Sequence, residues 1–197
     1  MNSINKLAIL IPTIDGREHF LERLLNILNP QVEKYGNEVM VIIGRDMPLE
    51  QKKTIGEKRN WLMDLANVNG CTHRAFVDDD DTVTDDYLDL NMPGVRLDYD
   101  VNSLTGKYYS NGIYDRQFVH DIKYKVARTN MEFYERFPNH LNVTKISLIK
   151  DYKYHHKNFG EDMELAERVS NDGVLKRQYT IEKPFYNYYF RTKQNGI

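Results

Sequence analysis

The chain has 197 residues, 41% of them apolar, and a formal net charge of −2. That length suits one domain with a substantial core, burying about 70% of the unfolded surface, and the charge offers no bulk attraction to nucleic acid or membrane. A single cysteine, Cys71, rules out an internal disulfide and fits a reducing compartment. No run approaches the ~20 apolar residues of a membrane span, and the apolar run in "MNSINKLAILIPT" is too short for a signal peptide, so a cytoplasmic protein without a membrane span is expected.

In chain order, "LAILI" (Leu7 to Ile11) reads as a buried strand. Asp15 with Glu18 three residues on matches a capping box, and Phe20, Leu21, Leu24, Leu25 and Leu28 make a helical stripe that Pro30 is expected to stop. "VMVII" (Val39 to Ile43) is a second buried strand, running into Gly44-Arg45-Asp46. "IGEKRNWLMDLANVNG" predicts a helix with Trp61, Leu62, Leu65 and Val68 on one face. "HRAFV" predicts a third strand, delivering Asp78 to Asp81. This β-α-β-α-β order predicts an α/β fold with a mostly parallel sheet flanked by helices. Ligands in such sheets bind beyond the carboxyl ends of the strands. Pro12 and Thr13, Asp46, and Asp78 to Asp81 all fall there.

The second half is less regular. "KYKVAR", "LNVTKISLI", "KRQYTI" and "FYNYYF" read as strands, and "GEDMELAERVSNDG" as a short helix with Leu165, Ala166 and Val169 inward. Charge divides the chain: residues 1–100 hold 11 Lys+Arg against 18 Asp+Glu, a net of −7, and residues 101–197 hold 16 against 11, a net of +5. Eleven of the 14 tyrosines lie in the second half. With no linker or repeat between the halves, a single domain of two functional lobes, 1–100 and 101–197, is expected, the second a mixed and irregular portion.

Four consecutive carboxylates at the end of a buried strand repel one another and are costly to bury unless something positive is bound. Acids near a helix start also offset its dipole by about 0.3–1 kcal/mol each, which suits Asp85 and Asp86. Asp78-x-Asp80-x-Thr82 opens like a calcium loop, but Val83 stands where the turn requires glycine. The same residues match the D-x-D-x-T motif of haloacid-dehalogenase phosphatases, with Asp78 as nucleophile, although two strand–helix units precede the motif here and it normally ends the first strand.

The chain as a whole resembles the metal-dependent GT-A glycosyltransferases, in particular family 2. "ILIPTIDGREHFLERLLNIL" is similar to the family's opening strand, "IPTYNR" and "L..LL..L"; "IGEKRNWL" to its "G..ARN"; "FVDDDDTVTDDYL" to "flDxDD...pdyl"; and "FGEDMELAERV" to its later "GED..L..R". "GRDMP" departs from the usual acidic "DDGS" after the second strand, and the acceptor half is short. A catalytically silent sugar- or nucleotide-binding module on the same fold is the non-enzymatic alternative.

The resemblance implies an inverting transferase that moves a sugar from a nucleoside-diphosphate donor, a UDP-sugar by preference, to a hydroxyl acceptor. It implies Mn²⁺ or Mg²⁺ as cofactor, with Asp80 as the main ligand and Asp78 as a second metal or ribose contact. Asp79 and Asp81 would orient the ion through water or contact donor hydroxyls. Pro12, Thr13 and Asp46 would flank the nucleoside, and Arg17, Lys58 and Arg59 suit its diphosphate. Asp78 and Asp80 share one face if the segment is extended. Asp162 is the expected base and Glu161 its reserve. His140, His155 and His156 are candidate further metal ligands. The basic, tyrosine-rich half, with Lys123, Lys125, Lys153 and Lys157, is expected to hold the acceptor: a glycan, a lipid-linked or other hydroxyl acceptor, with modified nucleic acid as an alternative.

Overall fold

A computed structural model describes residues 5–45 and 54–191; Asp46 lies outside the described residues. The all-apolar run becomes β1 (Leu7–Pro12), in which every residue is buried. It is flanked by β2 (Val39–Gly44) and β3 (His73–Phe76), both parallel to it. Burying β1's leucines and isoleucines is worth roughly 1.5–3 kcal/mol each. Its side chains alternate between two cores. Leu7, Ile9 and Ile11 pack with Leu21, Leu24 and Leu28, and Ala8 and Leu10 with Leu62 and Ala66.

The first of those partners lie on α1 (Glu18–Tyr35), which corrects both ends of the predicted helix. Asp15 does not cap it: Gly16 turns the chain at φ +85, Arg17 takes the cap position, and Glu18 reaches back to the Gly16 N–H. Pro30 does not stop it either. Proline removes one hydrogen bond, while the buried Gln31 side chain donates to the carbonyls of Ile27 and Thr84 and accepts from the Leu88 N–H, tying the last turns to the 84–88 segment beyond the aspartates.

The second helix, α2 (Ile55–Val68), starts on a Thr54/Glu57 capping box. Its buried face is Lys58, Arg59, Leu62, Met63 and Ala66; Val68, expected inward, is 81% exposed. The apolar stripe misled because two cations, not two hydrocarbons, complete the inner face.

Beyond the aspartates come β4 (Thr82–Val83) and α3 (Tyr87–Arg96), then β5 (Val101–Asn102). A hairpin follows, β6 (Leu104–Ser110) and β7 (Ile113–His120), closed by Asn111-Gly112 with positive φ at both residues. That dipeptide is a strong two-residue hairpin signal. Most of "KYKVAR" is turn, only β8 (Arg128–Thr129) being strand, and β9 (Phe133–Arg136) follows it. "LNVTKISLI" splits into β10 (Thr144–Lys145) and α4 (Ile146–Ile149). The predicted short helix is α5 (Glu161–Asp172), with Leu165, Ala166 and Val169 buried as expected. Last come β11 (Gln178–Tyr179) and β12 (Tyr186–Phe190).

These strands form two six-stranded sheets, ordered β11-β5-β10-β3-β1-β2 and β4-β12-β6-β7-β9-β8. The first is the α/β layer, parallel at β3-β1-β2 with β10 antiparallel beside β3. The second gathers the tyrosine-rich segments. Among the described residues no helix is long and apolar enough to cross a membrane.

Candidate active site

The segment after β3 is not extended. The Asp81 N–H donates to the Asp78 carbonyl at 3.1 Å, closing a turn. The turn still separates the four carboxylates by exposure: Asp79 and Asp81 are buried, while the Asp78 and Asp80 side chains are 22% and 27% exposed.

Asp81 is a bolt between β4 and β12. It accepts from the Tyr186 hydroxyl at 2.8 Å and from the Tyr189 N–H at 2.8 Å. Burial, then the charges of Asp78 and Asp80, push its carboxyl well above the ordinary range. Asp79 accepts from the Thr13 hydroxyl at 2.6 Å and pairs with Arg17 at 3.0 Å, so it ties the turn to the end of β1. Lys58 donates to the Thr13 carbonyl at 2.5 Å. Pro12 and Thr13 are buried beneath these contacts.

Asp80 is gripped by Arg17 at 2.5 Å and Arg191 at 3.1 Å, both on Oδ2, while Arg23 donates to the Asp80 carbonyl. Asp78 faces Arg59 at 3.2 Å. Burial would raise the Asp78 carboxyl, but Arg59, then His140 and Arg17, hold it well below the ordinary range. Arg59 is itself buried, lies 3.5 Å from Glu161 and sits over the rings of Phe76 and Tyr154.

Asp78, Arg17, Lys58 and Arg59 line a cavity of about 950 Å³. Its other walls are the start of α5, with Glu161 and Asp162, and the second sheet, with Tyr108, Tyr134, Tyr188 and Phe190. Gly56 makes this meeting feasible. A Cβ there would stand 2.0 Å from the His155 carbonyl oxygen, and the Gly56 N–H donates to the Lys157 carbonyl. The segment leading into α5 is therefore pressed against the start of α2, and Gly160, at φ +72, turns the chain into the helix.

His140 stands at the centre. It is buried, with Nε2 3.5 Å from Asp78 and Nδ1 3.5 Å from Asp162. Burial, then Arg59, pushes its pKa down. The two acids opening α5 differ. Burial raises the carboxyl of Glu161, which is almost wholly covered. Burial pushes Asp162 the same way, but His140, Arg59 and Arg136 outweigh it and keep the group below the ordinary range, hence ionised. Several buried donors here lack acceptors, among them Arg59 Nη1 and Nε and Arg136 Nε. Each such group costs about 1–3 kcal/mol unless water or an anion satisfies it.

The residues fit a divalent cation by chemistry. Asp78 and Asp80 are hard carboxylates, and Mg²⁺-type sites use one or two of these plus substrate phosphates. Among the described residues no three His, Cys, Asp or Glu side chains group closely enough to hold a metal by themselves. Both carboxylates already face arginines, so an ion would enter with a diphosphate that re-pairs those cations.

Of the sequence candidates, Asp78, Arg17, Lys58, Arg59, Glu161 and Asp162 meet in the cavity, with Asp80 joined through Arg17. Thr13 and Asp79 lie behind it. His155 and His156 are exposed and face Glu164 and Glu57. Lys123, Lys125, Lys153 and Lys157 do not line it; Lys153 pairs with Asp64 and Lys157 with Glu164. The tyrosine-rich segments expected to hold the acceptor supply Tyr108, Tyr188 and Phe190 to this wall, whereas Tyr134, Arg136 and Arg191 were not assigned roles from sequence, since nothing local marks an arginine's destination.

No family profile and no curated protein matches the chain. Solved structures do. Residues 1–349 of S. aureus TarS superpose with a TM-score of 0.62 at 16% identity over 93% of this chain and 60% of that one. The same protein in complex with UDP-GlcNAc gives 0.62 at 18% identity, over 95% and 59%. The catalytic domain of Drosophila β1,4-galactosyltransferase 7 in complex with xylobiose gives 0.54 at 13% identity, over 92% and 68%. The chain thus has the GT-A fold, and it spans about 60% of the length of the TarS structures it matches.

Proposed function

We propose that the chain is an inverting glycosyltransferase that moves a sugar from a nucleoside-diphosphate donor, a UDP-sugar by preference, to a hydroxyl acceptor with help from Mn²⁺ or Mg²⁺. The observation that carries this reading is the convergence of acids far apart in sequence on one cavity: Asp78 after β3, with Asp80 joined to the cavity through Arg17, and Glu161 with Asp162 at the start of α5. The fold supports it, since the structures that share it include S. aureus TarS in complex with UDP-GlcNAc and the catalytic domain of a β1,4-galactosyltransferase.

Arg17, Lys58 and Arg59 receive the diphosphate, and the unsatisfied Arg59 N–H groups find acceptors there. Held by Asp78 and Asp80 together with the phosphates, the cation would supply Lewis-acid stabilisation of the leaving group. Asp162, kept ionised by its cationic neighbours, takes the proton of the acceptor hydroxyl as that oxygen bonds to the sugar C1. The C1–O bond to the diphosphate breaks, and the configuration at C1 inverts. Asp79 and Asp81 are struts that fix the turn.

The GT-A fold counts against the phosphatase alternative, which needs Asp78 as a nucleophile at the end of a first strand. A silent binding module stays testable. Thermal shift across nucleotide sugars, with and without Mn²⁺, should single out a metal-dependent donor, and incubation with acceptors should then release UDP. Donor binding with neither transfer nor hydrolysis would leave only the binding module. An acyl-phosphate on Asp78 would restore the phosphatase.

A further inference from the structure

We infer that the cavity wall formed by the second sheet is an acceptor subsite for an uncharged saccharide ring, and that it discriminates against phosphorylated or nucleic-acid acceptors. The inference rests on the glycosyl-transfer reading and names its acceptor class.

The wall is a row of near-parallel rings. Tyr108 stacks with Tyr188, Tyr134 and Phe190 at centroid distances of 5.6, 6.4 and 6.3 Å, with interplanar angles of 14°, 15° and 20°. Strand pairing dictates the row. Tyr108 and Tyr188 are direct partners across β6 and β12, so both rings leave the same face, and Phe190 follows two residues on. All four rings line the cavity, and Tyr134 and Phe190 are 38% and 42% exposed. No hydrogen bond among the described residues engages the phenol hydroxyls of Tyr108, Tyr134 or Tyr188, and those of Tyr108 and Tyr188 are not among the buried unpartnered groups. Each can donate and accept. Apolar ring surface edged by neutral hydroxyls suits a sugar, which presents C–H faces and a rim of hydroxyls.

The charges facing the row argue the same way. Glu161, Asp162, Glu164 and Glu167 on α5 line the cavity opposite it, and the cations beside them already face carboxylates: Arg59 lies 3.5 Å from Glu161, Arg136 3.9 Å from Asp162 and Lys157 2.6 Å from Glu164. A polyanion needs surplus positive charge to bind. Here the cations facing α5 are each matched by a carboxylate, which leaves no such surplus, and the lysines that make the second half basic do not line this wall. The net of +5 read from sequence is therefore not the charge the acceptor meets.

The test is a glycan array bearing uncharged oligosaccharides, their phosphorylated and sulfated counterparts and single-stranded oligonucleotides, probed with the labelled full chain in the presence of UDP and Mn²⁺. Wild type should bind a subset of uncharged spots. Tyr134→Ala should weaken binding to those spots by about tenfold, the scale of one lost aromatic contact, and Tyr134→Phe, which removes only the hydroxyl, should weaken it less. Melting curves establish that both variants fold. Binding confined to phosphorylated, sulfated or nucleic-acid spots overturns the inference, as does binding to none, or the same binding by Tyr134→Ala. Titration of wild type with UDP tests the donor reading separately: saccharide binding without UDP binding would sink the transferase and leave the subsite, and the reverse would sink the subsite alone.

Discussion

Asp162 and Asp78 flank the same imidazole, His140 lying 3.5 Å from each through different ring nitrogens, neither of which makes a hydrogen bond. The carboxylate assigned to the acceptor thus lies one ring away from the carboxylate assigned to the donor. Asp162 is partly open and kept ionised, whereas Glu161 is covered, faces Arg59 and is pushed toward its neutral form. A base must be charged and reachable. Asp162→Asn is therefore expected to bind donor normally and lose transfer by about 10²–10⁴-fold, the usual contribution of a positioned base. Single-turnover assays would check this, with the product anomer read by NMR. Transfer near the wild-type rate in Asp162→Asn, with a dead Glu161→Gln, would move the assignment by one residue; a retained configuration would remove the inverting mechanism.

Metal and nucleotide should bind together. Asp80 is held by Arg17 and Arg191, and Asp78 by Arg59, so Mn²⁺ alone competes with three guanidinium groups. A diphosphate gives those cations another partner. Mn²⁺ alone should thus barely move the melting temperature. UDP with Mn²⁺ at about 100 times Kd should add about 2.7 kcal/mol, roughly 5–10 °C for a domain this size. Asp80→Asn should abolish that increment while remaining folded. UDP stabilisation of equal size in chelator would exclude the metal bridge.

How much of this was legible depends on the range of the interaction that fixes each feature. β1 and β2 announced themselves as continuous apolar runs, β1 being buried at every residue, β3 through the apolar triplet Ala75 to Val77 before the aspartates, and α5 because Leu165, Ala166 and Val169 keep helical spacing. The Asn111-Gly112 hairpin carries an equally readable turn signal, but the strands it joins, LTGKYYS and IYDRQFVH, are not continuous apolar runs. Pro30 misled because a local rule was overridden by Gln31, whose partners lie more than fifty residues away. Site residues near strand ends could be placed from topology. His140 could not be ranked above His155 or His156, since its burial comes from packing against β3 and α5 rather than from its neighbours in sequence.

Two further buried histidines, His120 on the cavity wall and His73 away from it, set an acid limit on stability. His120 is pushed well below the ordinary histidine value by burial, then by Arg136, with His140 adding to the effect and the Asn142 side chain opposing it. His73 is lowered by burial, though the Tyr99 carbonyl, Asp98 and Asp100 oppose this and Lys145 assists. Both are neutral in the folded chain, while the unfolded chain protonates near pH 6.5. Below that pH the unfolded state binds more protons, so stability is full above about pH 7 and falls as the pH drops through 6.5, by at most about 1.4 kcal/mol per pH unit for each group. Urea unfolding at pH 7.5, 6 and 5 should show this fall, and His120→Gln should flatten it whatever its effect at pH 7.5. An unchanged slope in His120→Gln would mean that this histidine is not held neutral.

Gly56→Ala tests whether the contact between α2 and the 155–157 segment sets the distance between donor and acceptor walls. The added methyl meets a backbone carbonyl rather than a flexible side-chain end, so it cannot be accommodated by a rotamer change. Overpacking of this kind costs about 1–3 kcal/mol, against which alanine's better helix propensity returns up to about 1 kcal/mol. The relief available is to move the segment leading into α5 outward, which carries Glu161 and Asp162 away from Arg59 and Asp78. Donor binding depends on the α2 and β3 side and should change little, whereas transfer depends on both sides and should fall. A misplacement of about 1 Å is enough to cost roughly 10²-fold in rate. UDP titration with Mn²⁺ beside a transfer assay separates the two effects. Equal losses in both would show that the clash disrupts α2 itself, and full transfer would show that the two walls are positioned by something other than this contact.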